Sequence, residues 1–130
     1  MRKKILAIDD DPMIRSFVQQ SLESTKEYKV WVAADGKEGL RAAESIGPDL
    51  ILLDVMMPDI DGFSVLRKLS RNKKTRYIPV IMLTGVNTQD AKDKASYAYA
   101  DGYIVKPVEA DKLNVAVSRT LKNRSKVKNF

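Results

Sequence analysis

Short apolar runs alternate along this chain with longer stretches of helical period. The runs are Ile5 to Ile8, Val30 to Ala33, Leu50 to Leu53, Val80 to Leu83 and Tyr103 to Val105. Such alternation predicts parallel strands joined by crossover helices, because a parallel connection needs a dozen or more residues and a helix supplies them. The first, third and fourth runs are apolar throughout, as expected of central strands covered on both faces, whereas Lys29 to Ala33 is mixed and suits an edge. The expected fold class is α/β: a doubly wound, five-stranded parallel sheet with helices on both faces.

Asp11 followed by Pro12 pairs a capping side chain with a proline preset for the first helical turn, and predicts a helix to about Thr25. A second helix is expected from near Gly36 to just before Gly47-Pro48, with Leu40 and Ala43 facing the sheet. Its internal Gly39 costs roughly 0.5 to 1 kcal/mol relative to Ala. A third helix follows Gly62, with Phe63, Leu66 and Leu69 at core-facing spacing. A fourth begins near Thr88, and a fifth near Ala110 with Leu113, Ala116, Val117 and Leu121 on one stripe.

A chain of 130 residues suits one domain, residues 1–130, able to bury a core without disulfides or a structural metal. Cysteine and histidine are both absent, which excludes disulfides, thiol nucleophiles, Cys/His zinc sites and imidazole-based triads. The net charge of +6 is mostly terminal: Arg119, Lys122, Arg124, Lys126 and Lys128 stand in residues 119–130 with no acid, so 6 minus 5 leaves the rest near +1. A basic tail is expected at about 122–130. Arg2, Lys3 and Lys4 resemble the start of a signal peptide, but the apolar stretch behind them stops at Ile8, and no segment approaches membrane-span length. A cytoplasmic protein with no membrane insertion is the expectation.

The informative positions are the ends of the apolar runs. The first ends in Asp9-Asp10-Asp11, the third in Asp54, the fourth in Thr84 and the fifth in Lys106-Pro107. In an open parallel sheet, ligands bind beyond the carboxyl ends of the strands, where strand order reverses. Asp11 has a sufficient role as a helix cap. Asp9 and Asp10 facing Asp54 would repel by about 4 kcal/mol per pair at 4 Å and an effective dielectric of 20. A hard divalent cation relieves this, and carboxylates with retained waters suit Mg²⁺. The plainer alternative, acids that cap helices or pair with lysines, does not account for acids at two central strand ends together with Thr84 and Lys106. A lysine and a hydroxyl there suit the equatorial oxygens of a phosphoryl group in transit, and Asp54 is the carboxylate able to form an aspartyl-phosphate.

The order Ile8-Asp9-Asp10-Asp11-Pro12, Pro48-Asp49-Leu50-Ile51-Leu52-Leu53-Asp54, Met57-Pro58, Asp61-Gly62, Ile78-Pro79-Val80-Ile81-Met82-Leu83-Thr84 and Gly102-Tyr103-Ile104-Val105-Lys106-Pro107 closely resembles the receiver domain of two-component response regulators, in its single-domain, chemotaxis-regulator-like form. The resemblance spans nearly the whole chain. It implies a flavodoxin-like fold with strand order 2-1-3-4-5. It implies Asp54 as phosphoacceptor, Asp10, Asp54 and the Met56 backbone carbonyl as direct Mg²⁺ ligands with Mn²⁺ a possible substitute, and Asp9 acting through water. Thr84 and Lys106 would bind the phosphoryl group, with Gly85 leaving room beside Thr84. Tyr103 is similar to the family's switch aromatic, and Lys106-Pro107 to its cis peptide. The sequence departs from the family in having Tyr99 where Gly commonly closes the fourth helix. Met56 and Val86 are apolar where polar side chains can position water, and imply slow self-dephosphorylation.

The implied function is self-catalysed acceptance of phosphate on Asp54 from a histidine kinase or phosphotransfer protein. The charge gained would switch a surface of the fourth helix, fifth strand and fifth helix for docking to a downstream protein. A receiver excised from a larger DNA-binding or enzymatic regulator is the alternative. A dehalogenase-type phosphatase is a remote one, since it needs a second Asp where Met56 stands. Nucleic-acid binding through the basic tail is disfavoured, because cations at a helix end are ordinary and no recognition signature accompanies them.

Overall fold

The computed structural model describes residues 1–85 and 100–128, the side chains of 125–128 excepted. The helix expected from Thr88, together with Val86 and Tyr99, lies outside the described residues. Five strands, β1 Lys3–Ile8, β2 Tyr28–Ala33, β3 Leu50–Asp54, β4 Val80–Thr84 and β5 Gly102–Val105, form one sheet in the order β2-β1-β3-β4-β5. Every pairing is parallel. Three helices, α1 Pro12–Glu23, α2 Gly36–Ile46 and α3 Gly62–Arg71, and a C-terminal helix, Ala110–Lys128, complete the described elements.

The period of two along β1 divides the core. Ile5 and Ala7 point to one face and pack with Val18 and Leu22 of α1 and Leu113 and Val117 of the C-terminal helix. Leu6 and Ile8 point to the other and pack with Ala43 of α2 and Val65, Leu66 and Leu69 of α3. Both faces of the central strands are therefore covered, which is why β3 and β4 are buried at every residue. Gly39 brings α2 close to β1: a Cβ there would stand 2.5 Å from Ile8 Cδ1. Its cost in helix propensity is the condition of that approach.

One sequence expectation is corrected here. Helix α1 stops at Glu23 rather than Thr25, because Ser24 and Thr25 turn their hydroxyls back onto Ser21 O and Leu22 O, both at 2.9 Å, and Lys26 takes a left-handed φ of 63°. In α3 Leu66 and Leu69 lie in the core as expected, Phe63 packs against it partly buried, and Val65 joins them fully buried. The basic segment after Leu121 continues the C-terminal helix as far as Lys128.

Strand β2 lies at the margin of the sheet, where one row of backbone groups lacks a strand partner. At Val30 that row is met by α1: Gln19 Nε2 donates to Val30 O at 3.1 Å and Val30 N donates to Glu23 Oε2 at 2.9 Å. At the opposite end of the chain, Arg124 donates to Tyr77 O at 2.6 Å and lies 3.7 Å from Asp101, fastening the C-terminal helix beneath β4 and β5. Among the described residues no helix is long and apolar enough to cross a membrane.

Candidate functional site

Strand order reverses between β1 and β3, so the residues that follow or close these two strands face a common crevice. Asp9 follows β1 and continues its ladder through a bond from its own N–H to Ala33 O at 3.1 Å. Asp54 closes β3. Both are buried, at 1% and 2% exposure, while Asp10 is exposed at the rim. Carboxylate oxygens of Asp9, Asp10 and Asp54 all lie within 4.8 Å of one another. Asp11 points elsewhere: its Oδ1 accepts from Met13 N at 2.9 Å, capping α1.

Lys106 follows β5 and is positioned by its own N–H, which donates to Thr84 O at 2.7 Å. Its Nζ stands 3.1 Å from Asp9 Oδ2 and 3.1 Å from Asp54 Oδ1. One ammonium is thus shared between two buried carboxylates, with a third carboxylate beside them. The Lys106–Pro107 peptide bond is cis. Thr84, 5% exposed, closes β4 beside Val105, and Gly85 after it has open space where a Cβ would stand. The Met56 side chain is 70% exposed, and its N–H reaches Asp54 Oδ1 at a long 3.4 Å. Tyr103, on β5, pairs with Met82 of β4 and is 42% exposed, outside the carboxylate cluster.

The charges do not balance within this group. Burial first, and the Asp9 charge second, push the Asp54 carboxyl up to about 6, although Lys106 pulls the other way. For Lys106, burial works to lower its basicity, but its bond to Asp9 and the charges of Asp54 and Asp9 carry it above the ordinary lysine value. Asp9 Oδ2 is buried against the Lys106 ammonium at 3.1 Å. Three carboxylates that offer only oxygen donors, held together with one ammonium and an excess of negative charge, fit a hard divalent cation. Two oxygens bound to one octahedral Mg²⁺ lie roughly 3 to 4 Å apart, close to the observed spread.

A pH dependence follows, with its sign fixed. A carboxyl raised in the fold binds a proton that the unfolded chain has released, so its contribution favours the fold as pH falls from about 6 toward 4 and is lost as pH rises through 6. Urea titrations in EDTA at pH 5 and pH 7.5 are expected to show this change in the wild type and not in Asp54→Asn. Equal pH responses in the two proteins would contradict it.

Sequence reasoning missed three residues that hold the site. Arg15 Nη1 donates to the Asp9 carbonyl at 2.8 Å, fixing the turn between β1 and α1. Gly62 opens α3 with its N–H on Val55 O at 2.7 Å, and a Cβ there would stand 2.1 Å from the Asp54 carbonyl oxygen. Asp59 accepts from Gly36 N at 3.1 Å and Lys37 N at 3.0 Å; desolvation works to raise its carboxyl, but backbone N–H donors including those of Gly36, Ile60 and Lys37 together outweigh it and hold the carboxyl below the usual range. The Asp61-Gly62 pair was a visible signal for Gly62, whereas the bonds of Arg15 and Asp59 leave no local trace.

Residues 5–118 match the family described as the response regulator receiver domain. The DNA-binding dual master transcriptional regulator RpaA of Synechocystis is 38% identical over 124 residues, covering 95% of this chain and 51% of that protein. The chain spans about half the length of the curated relatives it matches first. A CheY-like response regulator receiver domain protein from Methanospirillum hungatei superposes with a TM-score of 0.89 at 32% identity, covering 97% of this chain and 98% of that one. The receiver domain of a sensor histidine kinase from Pseudomonas aeruginosa, solved with a magnesium ion coordinated in its active-site cleft, gives a TM-score of 0.85 at 29% identity, covering 94% and 99%.

Proposed function

The chain belongs to the response regulator receiver domain family, and from that premise we propose that residues 1–130 act as one receiver unit whose Asp54 accepts a phosphoryl group. The observation that carries this reading is the sharing of the Lys106 ammonium by two buried carboxylates at the strand-order reversal, with a third beside them. Asp10, Asp54 and the Met56 carbonyl would hold Mg²⁺ directly and Asp9 would hold it through water, with Mn²⁺ an acceptable substitute. Bound there, the cation neutralises the carboxylates and draws electron density from the phosphoryl oxygens.

These 130 residues contain no histidine, so the phosphohistidine donor lies outside them, on a histidine kinase or a phosphotransfer protein. A carboxylate oxygen of Asp54 forms the new bond to phosphorus while the phosphorus–nitrogen bond breaks, its electrons leaving with the donor imidazole. Lys106 exchanges its contact with Asp54 for a phosphoryl oxygen, and Thr84 offers its hydroxyl to another, with Gly85 leaving space. Tyr103 turns inward with Thr84. The charge of about −1.5 to −2 so gained rebalances the surface of β5, the C-terminal helix and the segment between β4 and β5 for a downstream protein. The apolar Met56 and Val86 leave attacking water unassisted, so self-dephosphorylation is slow. Met56 also occupies the position of the second Asp that a dehalogenase-type phosphatase needs, which sets that reading aside. The length of the relatives supports a place for this unit within a larger regulator.

Intact-mass measurement with a small-molecule phosphodonor tests the proposal. The wild type should gain one phosphoryl group in Mg²⁺ and none in EDTA. Uptake that ignores the metal, or that maps away from Asp54, would refute it.

A further inference from the structure

We propose that Asp59 is a positioning residue for the metal and phosphoryl site, holding the two acid-bearing ends of β1 and β3 in one frame through α2. The inference rests on the reading of Asp10, Asp54 and Met56 given above. It starts from an excess of capping. Helices α1 and α3 each use one aspartate, Asp11 and Asp61, at their N-termini. Helix α2 has its own cap in Asp35, whose Oδ1 accepts from Glu38 N at 2.8 Å, and Glu38 reaches back to Ala34 N at 3.3 Å. A further carboxylate then arrives from another element: Asp59 Oδ1 and Oδ2 take Gly36 N and Lys37 N separately.

Two oxygens on two adjacent N–H groups fix orientation as well as distance. The contact beside them is tight, because a Cβ on Gly36 would stand 2.9 Å from Ile60 Cγ1 and 3.0 Å from Val65 Cγ2. The loop after β3 is therefore pinned at one end by Asp59 and Ile60 on α2, and at the other by the bond from Gly62 N to Val55 O at 2.7 Å. Met56 lies between these anchors. Helix α2 in turn sits flush on β1 where Gly39 meets Ile8, directly before Asp9 and Asp10. Asp59 thus joins the loop of Asp54 and Met56 to the helix that backs Asp9 and Asp10. It touches neither cation nor phosphate and acts only through this geometry.

The test is the Mg²⁺ dissociation constant, measured by titration calorimetry on the full chain, beside urea stability for wild type, Asp59→Ala, Asp59→Asn and Asp35→Ala. Removal of groups that orient metal ligands weakens metal binding by about 10- to 100-fold, and about tenfold is expected for Asp59→Ala. Asp59→Asn, keeping one acceptor, should fall between it and the wild type. Asp35→Ala removes α2's own cap and should lower stability while leaving the Mg²⁺ constant within about twofold, since the loop keeps its tie. Wild-type affinity in Asp59→Ala, or equal weakening in Asp35→Ala, would overturn the inference alone. A wild type that binds no Mg²⁺ would overturn the metal reading and this inference together.

Discussion

Asp54→Asn is expected to take up no detectable phosphate under conditions that phosphorylate the wild type, while its metal-free fold becomes more stable at neutral pH. The first outcome follows from chemistry: a carboxamide is not a competent nucleophile, and Asp9 and Asp10, the other carboxylates at the crevice, are proposed to hold the cation. The second follows from electrostatics. The surroundings of Asp54 disfavour its charge, with burial ahead of the neighbouring Asp9 as the cause, so an uncharged isostere relieves the fold even though it forfeits the attraction of Lys106. The gain at pH 7.5 is on the order of 1 kcal/mol after allowance for solvent screening at the rim, and it disappears below pH 4, where the wild-type carboxyl is protonated. Urea midpoints in EDTA measure the second outcome and intact mass the first. A variant that still gains phosphate, or that is less stable than the wild type at pH 7.5, would contradict the account of this site.

Gly62→Ala should cost about 3 kcal/mol of stability, the upper end of overpacking penalties, and most of the phosphate uptake. The added methyl would stand 2.1 Å from the Asp54 carbonyl oxygen and 2.8 Å from Val55 Cα, and neither atom belongs to a side chain that can rotate away. The backbone of the nucleophile itself must shift. Gly62 is not in the left-handed region, where among glycines Gly47 is found, so the effect is steric and not conformational. Gly85→Ala, where a Cβ has open space among the described residues and φ is not positive, carries neither cause and should leave stability nearly unchanged. A Gly62→Ala protein as stable and as readily phosphorylated as the wild type would show that the loop yields where the structure holds it rigid.

The sheet was readable because β1, β3 and β4 carry continuous apolar runs, which need cover on both faces, while the mixed run of β2 marked an edge. The ends of those runs located Asp9, Asp54, Thr84 and Lys106, since polar residues there have nowhere to go but the crevice. Strand order came from the family resemblance and not from periodicity, which fixes faces but not neighbours. Helix ends were less legible. Thr25 fits a helix by composition, yet its hydroxyl and that of Ser24 prefer the carbonyls behind them. The supports of the site were hidden for another reason. The partners of Asp59 lie 22 and 23 positions earlier in the chain, and an aspartate in a loop rich in aspartate and proline carries no mark that distinguishes a tie from a solvated surface acid.

The pair Gln19 and Glu23 has a consequence for self-association. An amide and a carboxylate occupy both of the hydrogen-bonding groups that Val30 turns outward, so a stray extended segment would have to evict them before it could lengthen the sheet. At Val30 the outer margin of β2 is for that reason a poor template for an added strand.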